Sequence, residues 1–184
     1  MRVAMNEEHM GNPMAHTADY YARDIVKAGW EFSRMGYLHS KLSLREFEAA
    51  RARTAEINGC QVCRVFRGHR DLESYFDTFG GDVAKSVQTR GTPPDEALYA
   101  NVTNAANYSG YSTRERLAIE CAEGMGLDPQ RLARDEDFWT RLKAEFSDDE
   151  VVDLVYNIAC WMGMGRANHV LGMDTVCGFV PMNG

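Results

Sequence analysis

The chain has 184 residues, 27 acidic against 20 basic side chains for a formal charge of −7, and 45% hydrophobic residues. That is one domain able to bury most of the surface its unfolded chain exposes. An acidic balance without a basic stripe excludes a nucleic-acid surface, and no apolar run nears the ~18 residues a membrane span needs.

Positions 1–15, with Glu7-Glu8-His9 and a Met/Gly/Asn/Pro cluster to Met14, show no periodicity and read as an arm that nothing obliges to be ordered. No signal-peptide core appears in the first 30 residues, so a cytoplasmic location is expected. Positions 16–184 read as a single helical domain. Tyr20 to Met35 forms an amphipathic pattern with Tyr21, Ile25, Ala28 and Phe32 on one side.

Ser43…Glu46 is the first of three S-x-x-E capping boxes, and the helix it opens runs to a stop signal at Asn58-Gly59. Cys60-Gln-Val-Cys63 follows at once and opens a helix predicted to run to about Phe79, ending at Gly80-Gly81. Thr89 to Gly110 is loop-rich, with a short helix within Asp95 to Asn104. The second box, Ser112…Glu115, precedes Leu117, Ala118, Cys121, Ala122 and Met125 at helical spacing, and Gly126-Leu-Asp-Pro129 breaks that element. A shorter helix lies around Asp135 to Phe146. The third box, Ser147…Glu150, opens a helix carrying Val151, Leu154, Val155, Ile158 and Met162 on one face. No segment reads as a strand, so the expected fold is all-α with six to seven helices.

Five cysteines, at 60, 63, 121, 160 and 177, are an odd number in a chain without an export signal, which argues against a structural disulfide framework. Cys121 and Cys160 sit in apolar helical patterns and read as small buried hydrophobes. Cys177 lies in a Gly-containing tail and supports no reading. The CxxC pair is different. Both thiols are expected in the first turn of a helix, where unpaired N–H groups favour thiolate, with both sulfurs open to solvent. Three residues apart on a helix face, they can close a small ring, as a dithiol reaction requires.

Arg67, one turn beyond Cys63 in an unbroken helix, is placed to stabilise a thiolate. His69 is rotated by about 120° from Cys63 and is a poor direct partner. Glu48 has two readings. If the helices fold back about Asn58-Gly59 it faces Arg67 to His69 and can pass the thiol proton; alternatively it forms a surface ion pair with Arg51 or Arg45. A structural zinc site would need four ligands, usually as two close pairs, and only one CxxC is present.

Glu48 twelve positions before Cys60, the Ile57-Asn58-Gly59-Cys60-x-x-Cys63 joint, Arg114-Glu115-Arg116 with Ala122-Glu123, and Arg166-Ala-Asn168-His-Val-Leu171-Gly172 together resemble the carboxymuconolactone decarboxylase and alkylhydroperoxidase D-like (AhpD-like) family. The similarity spans about Ser43 to Met173. It implies an AhpD-like helical domain assembled into homo-oligomers. In the peroxidase branch it implies Cys63 as attacking thiol, Cys60 as resolving thiol and Glu48 as relay acid. Arg67 occupies the position of that branch's relay histidine, a departure that leaves a thiol–disulfide reductase as good a fit as a peroxidase. The expected partners are a hydroperoxide or disulfide substrate and an external thiol reductant, with no metal or organic cofactor, no nucleic acid and no membrane. The alternatives are a carboxymuconolactone-type decarboxylase, whose branch lacks this dithiol in its usual form, and a non-catalytic oligomeric binding protein. Gly163 and Gly165 read either as a close subunit contact or as a packing kink, and His169 as a helix-end residue without a catalytic part.

Overall fold

A computed structural model describes residues 1–9 and 11–174. Cys177 lies outside the described residues. Among those described there are ten α-helices and no strand: α1 Pro13–Tyr20, α2 Arg23–His39, α3 Leu44–Asn58, α4 Gln61–Val65, α5 Gly68–Phe79, α6 Glu96–Ala100, α7 Thr113–Leu127, α8 Pro129–Leu132, α9 Glu136–Glu145 and α10 Asp148–Leu171. The all-α expectation is met. The larger number arises because short helices flank the long ones, and because the helix expected from Cys60 to Phe79 is two.

All three capping boxes form as expected. Ser43, Ser112 and Ser147 each accept from the backbone of the glutamate three residues on, and each glutamate returns a bond to the serine N–H. The first two boxes also join helices. Arg45 of α3 donates to Glu115 of α7 at 2.5 Å, and Arg114 of α7 donates to Glu46 of α3 at 2.5 Å. Two turns on, Arg53 reaches Glu123 at 2.7 Å with the same 70-residue offset as Arg45–Glu115. A constant offset requires α3 and α7 to run parallel and in register. Ala49 and Ala52 on α3, against Ile119 on α7, allow the axes to approach closely.

α3 is the centre of the molecule, packed on both α7 and α10. On one side Phe47 and Ala50 join Leu72, Phe138, Leu142, Leu154 and Ile158 in the main core. On the other, Ala49 and Ala52 meet a smaller cluster of Leu98, Tyr99, Val102 and Tyr111. Such a helix cannot be amphipathic in the ordinary sense, because it has no face left for water.

The expected arm is built into the fold. Arg2 N–H donates to Leu171 O at 2.8 Å, His16 is buried with Nε2 3.1 Å from Ala4 O, and Thr17 reaches the Met173 sulfur at 3.5 Å. Gly165 meets the Asn58 side chain within the same chain, and Asn58 donates to Trp161 O at 2.9 Å. Its smallness therefore serves the α3–α10 contact. Gly163 has no neighbour within contact distance of where a Cβ would sit.

The candidate dithiol site

Asn58-Gly59 ends α3 as its sequence predicts, with Gly59 in the left-handed conformation at φ 70°. Cys60 is the N-cap of α4 and Cys63 lies in its first turn, their sulfurs joined as a disulfide. The two differ in exposure. Cys60 is wholly buried, against the expectation that both sulfurs face solvent, whereas Cys63 is half-buried. Cys63 forms part of the wall of an apolar cavity of about 120 Å³, together with Trp30, Tyr37, Phe66, Tyr75 and Trp161.

α4 lasts five residues, then Phe66 and Arg67 are extended and α5 starts afresh at Gly68. The cause is a buried ion pair from α3. Arg51, 3% exposed, donates to Cys63 O and to Phe66 O, both at 2.7 Å, taking carbonyls that a continuous helix would bond internally. Its remaining bonds go to Glu48, at 2.6 and 3.0 Å. Glu48, fully buried, also accepts from Gly68 N–H at 3.1 Å and from the Tyr99 hydroxyl at 2.7 Å. Glu48 and Arg51 thus satisfy Cys63 O, Phe66 O and Gly68 N–H at the α4–α5 break, while Asp71 accepts from Arg67 N–H and the Arg67 and Arg70 guanidiniums take Arg64 O and Val65 O.

Glu48 is therefore paired with Arg51, one of the two partners considered, but in the interior rather than at the surface. Burial pushes its carboxyl up, and the Arg51 charge with the bonds from Arg51, Gly68 and Tyr99 outweighs this, leaving it below the usual carboxylate range. Tyr99 is held as the neutral phenol by its own burial and by the Glu48 charge. Because the folded Glu48 carboxyl is depressed, its contribution to stability is complete above about 4.5, its ordinary value, and is lost as the pH falls through the folded value. Urea midpoints in increasingly acidic buffers should fall accordingly. Glu48→Gln should remove that share of the acid dependence while lowering stability at neutral pH.

The break also relocates Arg67. With the helix interrupted it does not follow Cys63 by one turn; its guanidinium lies 3.9 Å over the Tyr99 ring and bonds Glu96 at 2.9 Å. Arg51, not Arg67, is the cation that shares the cavity wall with Cys63. The His69 backbone carbonyl accepts from Gln88 at 2.8 Å, and its buried Nδ1 has no hydrogen-bond partner. Cys121 and Cys160 are buried, as their apolar settings led one to expect, and burial pushes both thiols up to about 12.

A further group at the joint went unrecognised in the sequence. Asp174 accepts from Gln61 N–H, at the start of α4, and from His169 Nδ1, both at 2.9 Å. A carboxylate 113 residues along the chain from the helix start it caps leaves no local signature there, and only the return of α10 to the α3–α4 joint brings it to Gln61.

Fold and site together define an all-helical protein with a CxxC disulfide at the wall of an apolar cavity, anchored by a buried Glu–Arg pair. No family model, curated protein or solved structure matches the chain. The AhpD-like resemblance rests on the residues quoted for it. No helix among the described residues is long and apolar enough to cross a membrane, and among them no three His, Cys, Asp or Glu side chains are grouped to hold a metal ion.

Proposed function

We propose that the protein is a thiol–disulfide oxidoreductase in which Cys60 and Cys63 cycle between dithiol and disulfide, reducing a hydroperoxide or a disulfide. The observation that carries this reading is the unequal exposure of two bonded sulfurs: Cys63 at a cavity that can admit a small molecule, Cys60 sealed behind it.

In the peroxidase form, the Cys63 thiolate attacks a peroxide oxygen, forming an S–O bond as the O–O bond breaks. The alkoxide leaves and takes up a proton, so the products are an alcohol and Cys63 sulfenic acid. Cys60 gives up its proton and attacks the Cys63 sulfur; the S–S bond forms, the S–O bond breaks, and hydroxide leaves as water. Two equivalents of an external thiol restore the pair. Arg51 supplies positive charge at the cavity wall, the part assigned in the sequence to Arg67, while Glu48 holds Arg51 and the α4–α5 break in place. No metal or organic cofactor enters the scheme.

A protein disulfide is the less favoured oxidant, since Cys63 is reached through a cavity lined by side chains rather than displayed on a projecting surface. The same reading puts the protein in the reducing cytoplasm, where a thiol reductant is at hand, and, following the resemblance, in a homo-oligomer.

The test is stoichiometric. Fully reduced protein treated with one equivalent of an organic hydroperoxide should lose two free thiols per chain, and peptide mapping should recover them as the Cys60–Cys63 disulfide. Retention of both thiols, with Cys63 open to alkylation, would overturn the peroxidase reading; retention also with a small disulfide as oxidant would overturn the redox reading altogether.

A further inference from the structure

His169 stands beside the α3–α4 joint, on the last turn of α10, and its surroundings are those of an oriented base. Its Nδ1 lies 2.9 Å from Asp174 Oδ2. The Asp174 side chain is fully buried, whereas that of His169 is 45% exposed. Burial raises the Asp174 carboxyl, but the bonds from Gln61 N–H and His169 and the neighbouring imidazole outweigh it, so Asp174 is ionised at neutral pH. An ionised carboxylate at Nδ1 selects the tautomer with the proton on that nitrogen and leaves a lone pair on Nε2.

Nε2 faces the α3–α4 joint. It is 3.3 Å from the position a Cβ on Gly59 would occupy, and Gly59 immediately precedes Cys60. Glycine at 59 therefore serves two ends: it allows the left-handed turn, and it leaves room for the imidazole to pack against the joint, one residue before the first cysteine. The same carboxylate that orients His169 caps Gln61 N–H, directly after Cys60. One side chain thus ties the imidazole and the CxxC segment into a single unit.

We propose that His169, oriented by Asp174, is the proton-exchange group for Cys60: it takes the Cys60 proton when that thiol closes the disulfide and returns one when Cys60 leaves as thiolate on reduction, directly or through one water. This rests on the dithiol cycle proposed above. The assignment answers a need of that cycle, because Cys60 is sealed from solvent and its proton requires a route, which the exposed edge of His169 provides. The other charged groups on the elements around it are otherwise engaged. Arg64 of α4 pairs with Glu56 of α3, and Arg166 on the same helix donates to Gly126 O at 3.0 Å. The amino group of Met1 lies beside Gly172, 3.5 Å from where a Cβ there would sit.

The experiment is reduction of the Cys60–Cys63 disulfide in the intact protein by excess dithiothreitol, followed across about pH 5 to 8 and corrected for the thiolate fraction of the reductant. The corrected wild-type rate should fall as the pH rises, as expected of a step in which the protein supplies a proton to the leaving Cys60. His169→Ala should be slower by about tenfold or more at the acidic end, with a flat profile, and added imidazole should restore part of the rate. Asp174→Asn should retain a pH dependence with its midpoint displaced. Melting temperatures of the variants establish that they are folded. A folded His169→Ala protein with the wild-type rate and profile would overturn the assignment of His169 and leave the dithiol cycle standing. A wild-type disulfide that dithiothreitol does not reduce would overturn both.

Discussion

Cys63→Ser is expected to abolish hydroperoxide consumption, whereas Cys60→Ser should consume one equivalent and stop. The difference follows from placement. Cys63 is the one cysteine among the described residues that lines the cavity, so its loss removes the thiol proposed to meet a bound peroxide. Cys60 is buried, and in the proposed cycle it enters only at the second step. In Cys60→Ser the sulfenic acid formed on Cys63 has no neighbouring thiol among the described residues to condense with, and a sulfenate-specific reagent should label it at one per chain. Cys121 and Cys160 cannot substitute, being buried with thiols raised to about 12. Peroxide turnover surviving in Cys63→Ser, or label appearing on Cys60 instead, would reverse the assignment of attacking and resolving sulfur.

Arg51→Leu should be among the most destabilising single substitutions in the chain. It leaves Glu48 as a fully buried carboxylate without its counter-charge, and it removes the Arg51 donor to Cys63 O and one of the donors to Phe66 O, to which Arg67 also donates at 3.0 Å. Breaking a buried pair from one side costs about 3–5 kcal/mol, which in a domain of this size lowers the melting temperature by roughly 6–20 °C. Glu48→Gln should be milder in charge, though it still leaves Arg51 unpaired. The double substitution should cost less than the sum of the two, because the second removes the charge the first exposed. Additive losses in that cycle, or an Arg51→Leu protein as stable as wild type, would show that the pair does not hold the α4–α5 break. If the break is held as described, Arg51→Leu should also change the accessibility of Cys63, read as the rate of alkylation of the reduced protein.

Local signals and tertiary contacts divide this molecule in an instructive way. The three serine boxes were legible because a cap is made within four residues, and each is present. The Asn58-Gly59 joint was legible for a similar reason: the left-handed residue that ends α3 is a glycine by steric necessity. A helix from Cys60 to Phe79 reads as unbroken because the single glycine within it, Gly68, is not by itself a stop in a helical pattern. What interrupts it is Arg51, twelve residues before Cys63, whose guanidinium competes for the very carbonyls the helix would use. Arg67 was accordingly assigned to a position one turn past the thiol that the chain never occupies. Glu48 and Arg51 were recognisable as neighbours at i and i+3, but their burial was not, since a charged pair on an alanine-rich helix looks like a solvated face until α7, α10 and the α4–α5 segment close over it.

The amino-acid order alone determines the all-helical architecture, the starts of its main helices, the turn before the first cysteine and the spacing that lets two sulfurs meet, since each of these is settled by interactions reaching four residues or fewer. Only the folded chain decides which sulfur is sealed, which arginine stands beside the other, and that Asp174 returns to the joint with His169. Those relations depend on helices that are distant along the chain and adjacent in space, and a buried charge declares its partner only when the surrounding elements have excluded water from it.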